Sequence, residues 1–205
     1  MINIEHLLLS VPAILLAISF HELGHAFVAY KLGDVTQKYQ GRLTLNPLAH
    51  LDPVGAIMLL LFRFGWAKPV LINSNYFKNK RQGILLVSAA GPLANVLLAW
   101  VFYNLYRFLP GLMPTAALMS TMFVFLSLNI QLNLGLAAFN LIPLPPLDGS
   151  KILASFLPPQ LEYKYLSWAR YGPMILIVLV ITGGARLIIN PIYSVLLKLV
   201  ATLSL

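Results

Sequence analysis

Apolar positions along the chain gather into long uninterrupted runs: Asn3 to Tyr30, Gly83 to Leu109, Ala116 to Leu141 and Pro173 to Asn190, followed by a shorter tail from Ile192 to Leu205. A helix needs about 20 apolar residues to cross a hydrocarbon core of about 30 Å, so the first four runs predict spans. The tail fits a tilted or interfacial helix, or the far half of a helix kinked at Pro191. Between the first two runs, Lys31 to Gln82 alternates turn signals (Gly33-Asp34, Asn46-Pro47, Asp52-Pro53) with Ala56 to Phe62, an apolar piece too short to cross. Gly41 to Leu45 has strand-like alternation. Irregular or strand backbone at membrane depth survives only when buried in protein or lining a wet cavity, so this connection is expected to fold back as a re-entrant, β-hairpin-like segment bordering a site. The predicted class is an all-α polytopic membrane protein with about 4 to 6 transmembrane helices.

Composition agrees and narrows the class. Of 205 residues 59% are hydrophobic and 10% charged, where a soluble domain carries about 25% charged residues. The length is expected to hold one membrane-embedded domain over residues 1–205, with no separate soluble domain. The first run opens with Glu5 and no small-residue cleavage site follows, so it reads as a retained span. There is no cysteine, which removes disulfides, thiolate nucleophiles and Cys-type zinc sites together.

The net charge of +8 serves topology rather than nucleic acid. Eight of the fourteen basic residues (Lys31, Lys38, Arg42, Arg63, Lys68, Lys78, Lys80 and Arg81) lie in the single connection 31–82, and the positive-inside rule turns that connection toward the cytoplasm. Parity then makes 142–172, which carries Lys151, Lys164 and Arg170, cytoplasmic as well, in a multi-pass protein of the cell membrane.

Chemistry enters at His21-Glu22-Leu23-Gly24-His25, an H-E-x-x-H motif inside the first span. Residues four apart share a helical face, so both imidazoles can reach one zinc with Glu22 beside the open coordination position. A helix starting near Asn3 carries His21 about 27 Å along it, toward the cytoplasmic end of the span. Ionisable groups inside a span cost roughly 2.5 to 3.5 kcal/mol or more each for Asp, Lys or Arg and are functional by default. Two histidines leave zinc one protein ligand short, and the chain holds only 6 acids and 4 histidines. Glu22 is needed as the base, Glu5 and His6 lie at the far end of the span, and Asp34 reads as a solvated turn acid. Asp148, Asp52, His50 and Glu162 remain. Topology favours Asp148, since the third span delivers it to the cytoplasmic side behind the stiff segment Pro143-Leu144-Pro145-Pro146. Asp52 and His50 form the rival pair, although a carboxylate directly before Pro53 commonly caps a turn.

H-E-x-x-H followed at the end of a later span by Asn140, Pro143, Pro145, Leu147, Asp148 and Gly149, in the pattern N-x-x-P-x-P-x-L-D-G, resembles the site-2 protease family of intramembrane zinc metalloproteases. Gly91-Pro92-Leu93-Ala94-Asn95 matches the family's G-x-x-x-N element, and Asn46 to Pro53 and Gly65 to Val70 resemble its loop motifs, so the resemblance covers about Leu15 to Lys151. The chain looks like the bare catalytic core, without the PDZ or CBS domain of many relatives. The resemblance implies one zinc held by His21, His25 and Asp148, Glu22 as general base and acid, and single-span or other membrane proteins as substrates cleaved in or near their transmembrane segments. An uncharged amide suits oxyanion stabilisation in a low-dielectric site, which makes Asn140 and Asn95 the candidates. Two other functions fit the same composition: a transporter or ion-binding protein using the buried His and acids as a path, and a silent adaptor for membrane helices. Glu22 separates hydrolysis from transport, and a silent adaptor would be expected to have lost motifs that are complete here.

Overall fold

The computed structural model describes residues 4–55, 68–108 and 115–204, and among them the protein is helical with no strand. The first span is α1 (Ile4–Lys31), and a single turn α2 (Thr36–Tyr39) follows it. The next two long helices are α3 (Lys80–Phe108) and α4 (Ala116–Asn140). Beyond them come α5 (Asp148–Ala154), α6 (Pro159–Ser167), α7 (Gly172–Ile181) and α8 (Gly184–Thr202). Five helical stretches are long and apolar enough to cross a membrane: the three long helices, Pro159–Ile181 and Gly184–Thr202. At 1.5 Å per residue the three long helices each exceed a hydrocarbon core of about 30 Å.

The three long helices meet along stripes of small and polar residues. On α1 the buried positions Ala13, Ala17, His21, His25 and Ala29 recur every four residues, so the H-E-x-x-H histidines continue an alanine stripe. Leu7, Leu8, Val11 and Phe27 face outward. On α3 the buried positions include Gly83, Val87, Ala90, Gly91, Asn95 and Ala99, with Leu93, Leu97 and Val101 exposed on the opposite face. Lipid tails are as apolar as leucine, so membrane helices associate through close backbone approach and interhelical hydrogen bonds, which small residues and amides provide. A Cβ on Gly24 would lie 2.7 Å from the Ala90 carbonyl oxygen, a measure of how closely α1 and α3 approach. Ala99, Ile130, Leu134 and Val200 form the apolar core on the far side of α3 and α4, and the Trp100 indole donates to the Leu203 carbonyl at 3.0 Å.

Two boundaries differ from the sequence reading. The run expected to span Pro173 to Asn190 is divided at Gly183, whose φ of +75° ends the preceding helix in a left-handed turn. The tail is therefore the body of α8, which passes through Pro191 without ending. Helix-breaking residues are tolerated in membrane helices because neighbours satisfy the freed backbone groups.

In the connection after α1, Gly41 to Leu45 forms turns and irregular chain rather than strand. Ala56 to Phe62 and Gly65 to Ala67 lie outside the described residues, and with them the body of the expected hairpin. What is described is a clamp. The buried Arg42 guanidinium donates to the carbonyls of Ala49, Lys68 and Pro69 at 2.8, 3.2 and 3.1 Å. The Gln37 amide donates to the Leu71 carbonyl at 2.8 Å, and the Asn73 N–H donates to Asp34 at 2.8 Å.

Asp34 is thus not a solvated turn acid. It is fully buried and also accepts from the Thr36 hydroxyl and N–H and the Gln37 amide. Burial pushes its carboxyl up, but these donors outweigh burial and hold it below the usual carboxylate range.

Candidate metal centre

His21 and His25 sit on consecutive turns of α1, with their side chains toward α3 and α5. The segment Leu141 to Leu147 leaves the end of α4 in turns and delivers Asp148 as the first residue of α5. There the Asp148 Oδ2 lies 3.2 Å from His21 Nε2 and 3.0 Å from His25 Nε2, and the two Nε2 atoms are 3.1 Å apart. All three side chains are buried, and among the described residues this is the one group of three or more His and acids with the spacing of a metal site.

The far sides of both rings are occupied. His25 Nδ1 lies 2.7 Å from the Val87 carbonyl, which can only accept, so in the neutral ring Nδ1 carries the proton and Nε2 presents a lone pair. His21 Nδ1 lies 2.6 Å from the Asn95 side-chain oxygen. Three lone-pair atoms at such separations repel one another unless a cation lies between them. Zinc bonds of about 2.0 to 2.1 Å at tetrahedral angles would separate the ligand atoms by roughly 3.3 Å, close to the spacing seen. Two imidazole nitrogens and one carboxylate oxygen, with the fourth direction open, form a donor set that suits a catalytic zinc. Lys151 Nζ, 3.4 Å from Asp148 Oδ1, holds the other carboxylate oxygen away from the histidines.

Gly91 makes this convergence possible. A Cβ there would fall 2.8 Å from His21 Cε1 and nearer still to the His25 ring, so only glycine lets α3 pass behind the imidazole pair. The centre opens into a cavity of about 470 Å³, lined by apolar side chains from α1, α4 and the 51–72 connection together with Glu22, Asn140 and Lys151.

Of the residues singled out in the sequence, His21, His25 and Asp148 come together, and Glu22 and Asn140 face the same cavity. Asn95 does not line it. Its amide lies behind His21, bonded also to the Ala17 carbonyl and Asn133 at 2.9 and 2.8 Å. The Asn140 amide donates to the Leu136 carbonyl of its own helix at 3.1 Å. His50 and Asp52 stand apart from the centre: His50 is buried against the Thr44 carbonyl, and Asp52 accepts the Gly55 N–H at 2.8 Å. Glu162 lies in the first turn of α6. Sequence reasoning passed over Asn133 and Lys151. Asn133 had a signal, since an amide inside an apolar span requires a partner.

Comparison with known proteins identifies the family. Residues 111–180 match the model of Peptidase family M50. The chain is 42% identical over 186 residues to "Putative zinc metalloprotease YwhC" of Bacillus subtilis (strain 168), covering 90% of this chain and 85% of that one. It is 32% identical to "Putative zinc metalloprotease Rip2" of Mycolicibacterium smegmatis, covering 82% of this chain and 64% of the relative. It is 30% identical to "Zinc metalloprotease MJ0392" of Methanocaldococcus jannaschii, covering 73% of this chain and 34% of the relative. No solved structure matches the chain. With five helices able to cross a membrane and a buried His-His-Asp centre, the chain belongs to peptidase family M50, the site-2 protease family of zinc metalloproteases.

Proposed function

We propose that the protein hydrolyses peptide bonds within or beside the transmembrane segments of other membrane proteins, single-span proteins foremost, from a site near the cytoplasmic face of the cell membrane. The observation that carries this reading is the convergence of His21 Nε2, His25 Nε2 and Asp148 Oδ2 on one apolar cavity that also holds Glu22. In this reading His21, His25 and Asp148 are the zinc ligands, Glu22 is the general base and acid, and residues 1–205 act as one membrane-embedded catalytic domain.

Zinc bound there supplies Lewis acidity and lowers the pKa of water toward about 7. Glu22 takes the proton of the attacking water and passes it to the departing amine. Asn140, at the cavity wall, turns its amide from the Leu136 carbonyl toward the developing oxyanion. Asn95, spent on His21, Ala17 and Asn133, acts as a positioning residue rather than touching substrate.

Depth and charge support the membrane setting. His21 lies 10 residues before the end of α1 at Lys31, about 15 Å along the axis, and Gly91 lies a similar distance from the start of α3 at Lys80. Both ends adjoin the basic connection, which the positive-inside rule assigns to the cytoplasm. A helical substrate hides its peptide bonds in hydrogen bonds and must unwind locally before attack. Pro69, Leu71 and Asn73 spend backbone groups on Arg42, Gln37 and Asp34, whereas Val70 and Ile72 line the cavity and, among the described residues, have backbone groups available to pair with an extended segment by strand addition.

The test is cleavage of a panel of single-span substrates by the purified protein in proteoliposomes, with metal analysis of each variant. Chelation should stop cleavage and zinc restore it, and Asp148→Ala should lose zinc while Asp52→Ala keeps it. Loss of zinc only in Asp52→Ala overturns the ligand set, and ion flux without cleavage overturns the protease reading in favour of transport.

A further inference from the structure

The amide behind His21 does not stand alone. Asn133 of α4 donates through its Nδ2 to the Asn129 carbonyl at 2.9 Å and accepts at its Oδ1 from Asn95 Nδ2 at 2.8 Å. Asn95 Nδ2 donates as well to the Ala17 carbonyl at 2.9 Å, and Asn95 Oδ1 meets His21 Nδ1 at 2.6 Å. Asn95 and Asn133 are both fully buried. An amide side chain can face either way, but a backbone carbonyl can only accept, and this fixes the whole series. The Asn129 carbonyl requires the NH₂ of Asn133 on its side, which turns the Asn133 oxygen to Asn95. The Ala17 carbonyl and that oxygen both require the NH₂ of Asn95, which turns its oxygen to His21. In the neutral imidazole His21 Nδ1 must then carry the proton, leaving Nε2 with its lone pair toward His25 and Asp148.

We infer that Asn133 is a positioning residue of the metal centre, acting through Asn95 to hold His21 in the tautomer and rotamer that ligate, so that helix α4 sets a ligand carried on helix α1. Metal-bound histidines commonly give their second N–H to a carboxylate or carbonyl. A carboxylate among three membrane helices would bring an uncompensated charge, whereas two amides perform the same orientation while neutral. Without the Asn133 acceptor, one of the two restraints on the Asn95 amide is gone. A flipped Asn95 presents NH₂ to Nδ1 and drives the proton to Nε2, where it blocks ligation.

The inference rests on His21 being a ligand, and the experiment keeps the two claims apart. Zinc affinity is read by competition with a chromophoric chelator, and the apo forms are compared by thermal melting. Asn133→Leu keeps the branched shape and removes the acceptor; Asn133→Asp, a carboxyl that burial keeps protonated and uncharged, retains an acceptor oxygen for Asn95 and an O–H for the Asn129 carbonyl. Asn129→Leu removes an equally buried amide on the same helix whose side chain donates only to the Phe125 carbonyl. Asn133→Leu should bind zinc about tenfold more weakly, the lower end of the usual effect of losing such a partner, whereas Asn133→Asp and Asn129→Leu should bind as the unaltered protein does. Unchanged affinity in Asn133→Leu, an equal fall in Asn129→Leu, or no rescue by Asn133→Asp each overturns the inference. If the Leu variant melts in the apo form, the rescue by Asn133→Asp decides alone. His21→Ala with undiminished affinity would instead refute the ligand assignment itself.

Discussion

At the scale of single residues the centre is a packing problem as much as a chemical one. Two imidazoles and a carboxylate meet because Gly91 offers no side chain where the rings lie. Gly91→Ala should therefore displace both rings and weaken zinc binding at least about tenfold, the range associated with losing ligand orientation. Gly135→Ala, a glycine of α4 whose added Cβ meets nothing within 4 Å, should leave binding unchanged. Metal content per chain reads both. The four-residue spacing of His21 and His25 was legible without coordinates because helix periodicity alone puts them on one face. Asp148 was reachable because topology and the proline-stiffened segment narrow where its carboxylate can go. Gly91 matched a motif, but its reason, imidazole rings lying where a Cβ would go, is a property of two helices in contact. The Asn95 to Asn133 bond is equally invisible, since the two residues are 38 positions apart and neither local pattern points to the other.

At the scale of elements the connection between α1 and α3 works as a clamped wall of the cavity. Its anchors are Asp34, Gln37 and Arg42, three polar groups with no motif to announce them, and Asp34 sits in a Gly-Asp turn that in isolation favours solvent. The Thr36 hydroxyl and N–H, the Gln37 amide and the distant Asn73 N–H together override that local preference. Asp34 also sets a pH dependence. Its folded pKa is lowered, so its contribution to the clamp is fully present above the unfolded value of about 3.9 and is lost as pH falls through the folded value. Asp34→Asn should reduce hydrogen-exchange protection over residues 68–73 at pH 7, and the gap from the unaltered protein should close as pH falls below about 4. A gap of the same size at low pH would mean that the charge of Asp34 does not support the clamp. The division of the last apolar run at Gly183 belongs to this scale too: hydropathy continues through the break, and only the backbone angle marks it.

At the scale of the whole molecule, scarcity of charge organises everything. Six acids and four histidines serve 205 residues, and four of those ten groups, His21, Glu22, His25 and Asp148, line one cavity set among membrane-spanning helices. Around the centre, α1, α3 and α4 meet through alanine, glycine and asparagine, which lets them approach closely enough to enclose a polar group, while leucine and valine are exposed on the outer faces of α1 and α3. In the proposed function this centre performs zinc-dependent hydrolysis with Glu22 moving the proton. The measurement that meets it most directly is zinc content together with cleavage of a single-span substrate by Glu22→Gln in proteoliposomes. One zinc per chain with cleavage abolished is the predicted result; cleavage at the rate of the unaltered protein would contradict it.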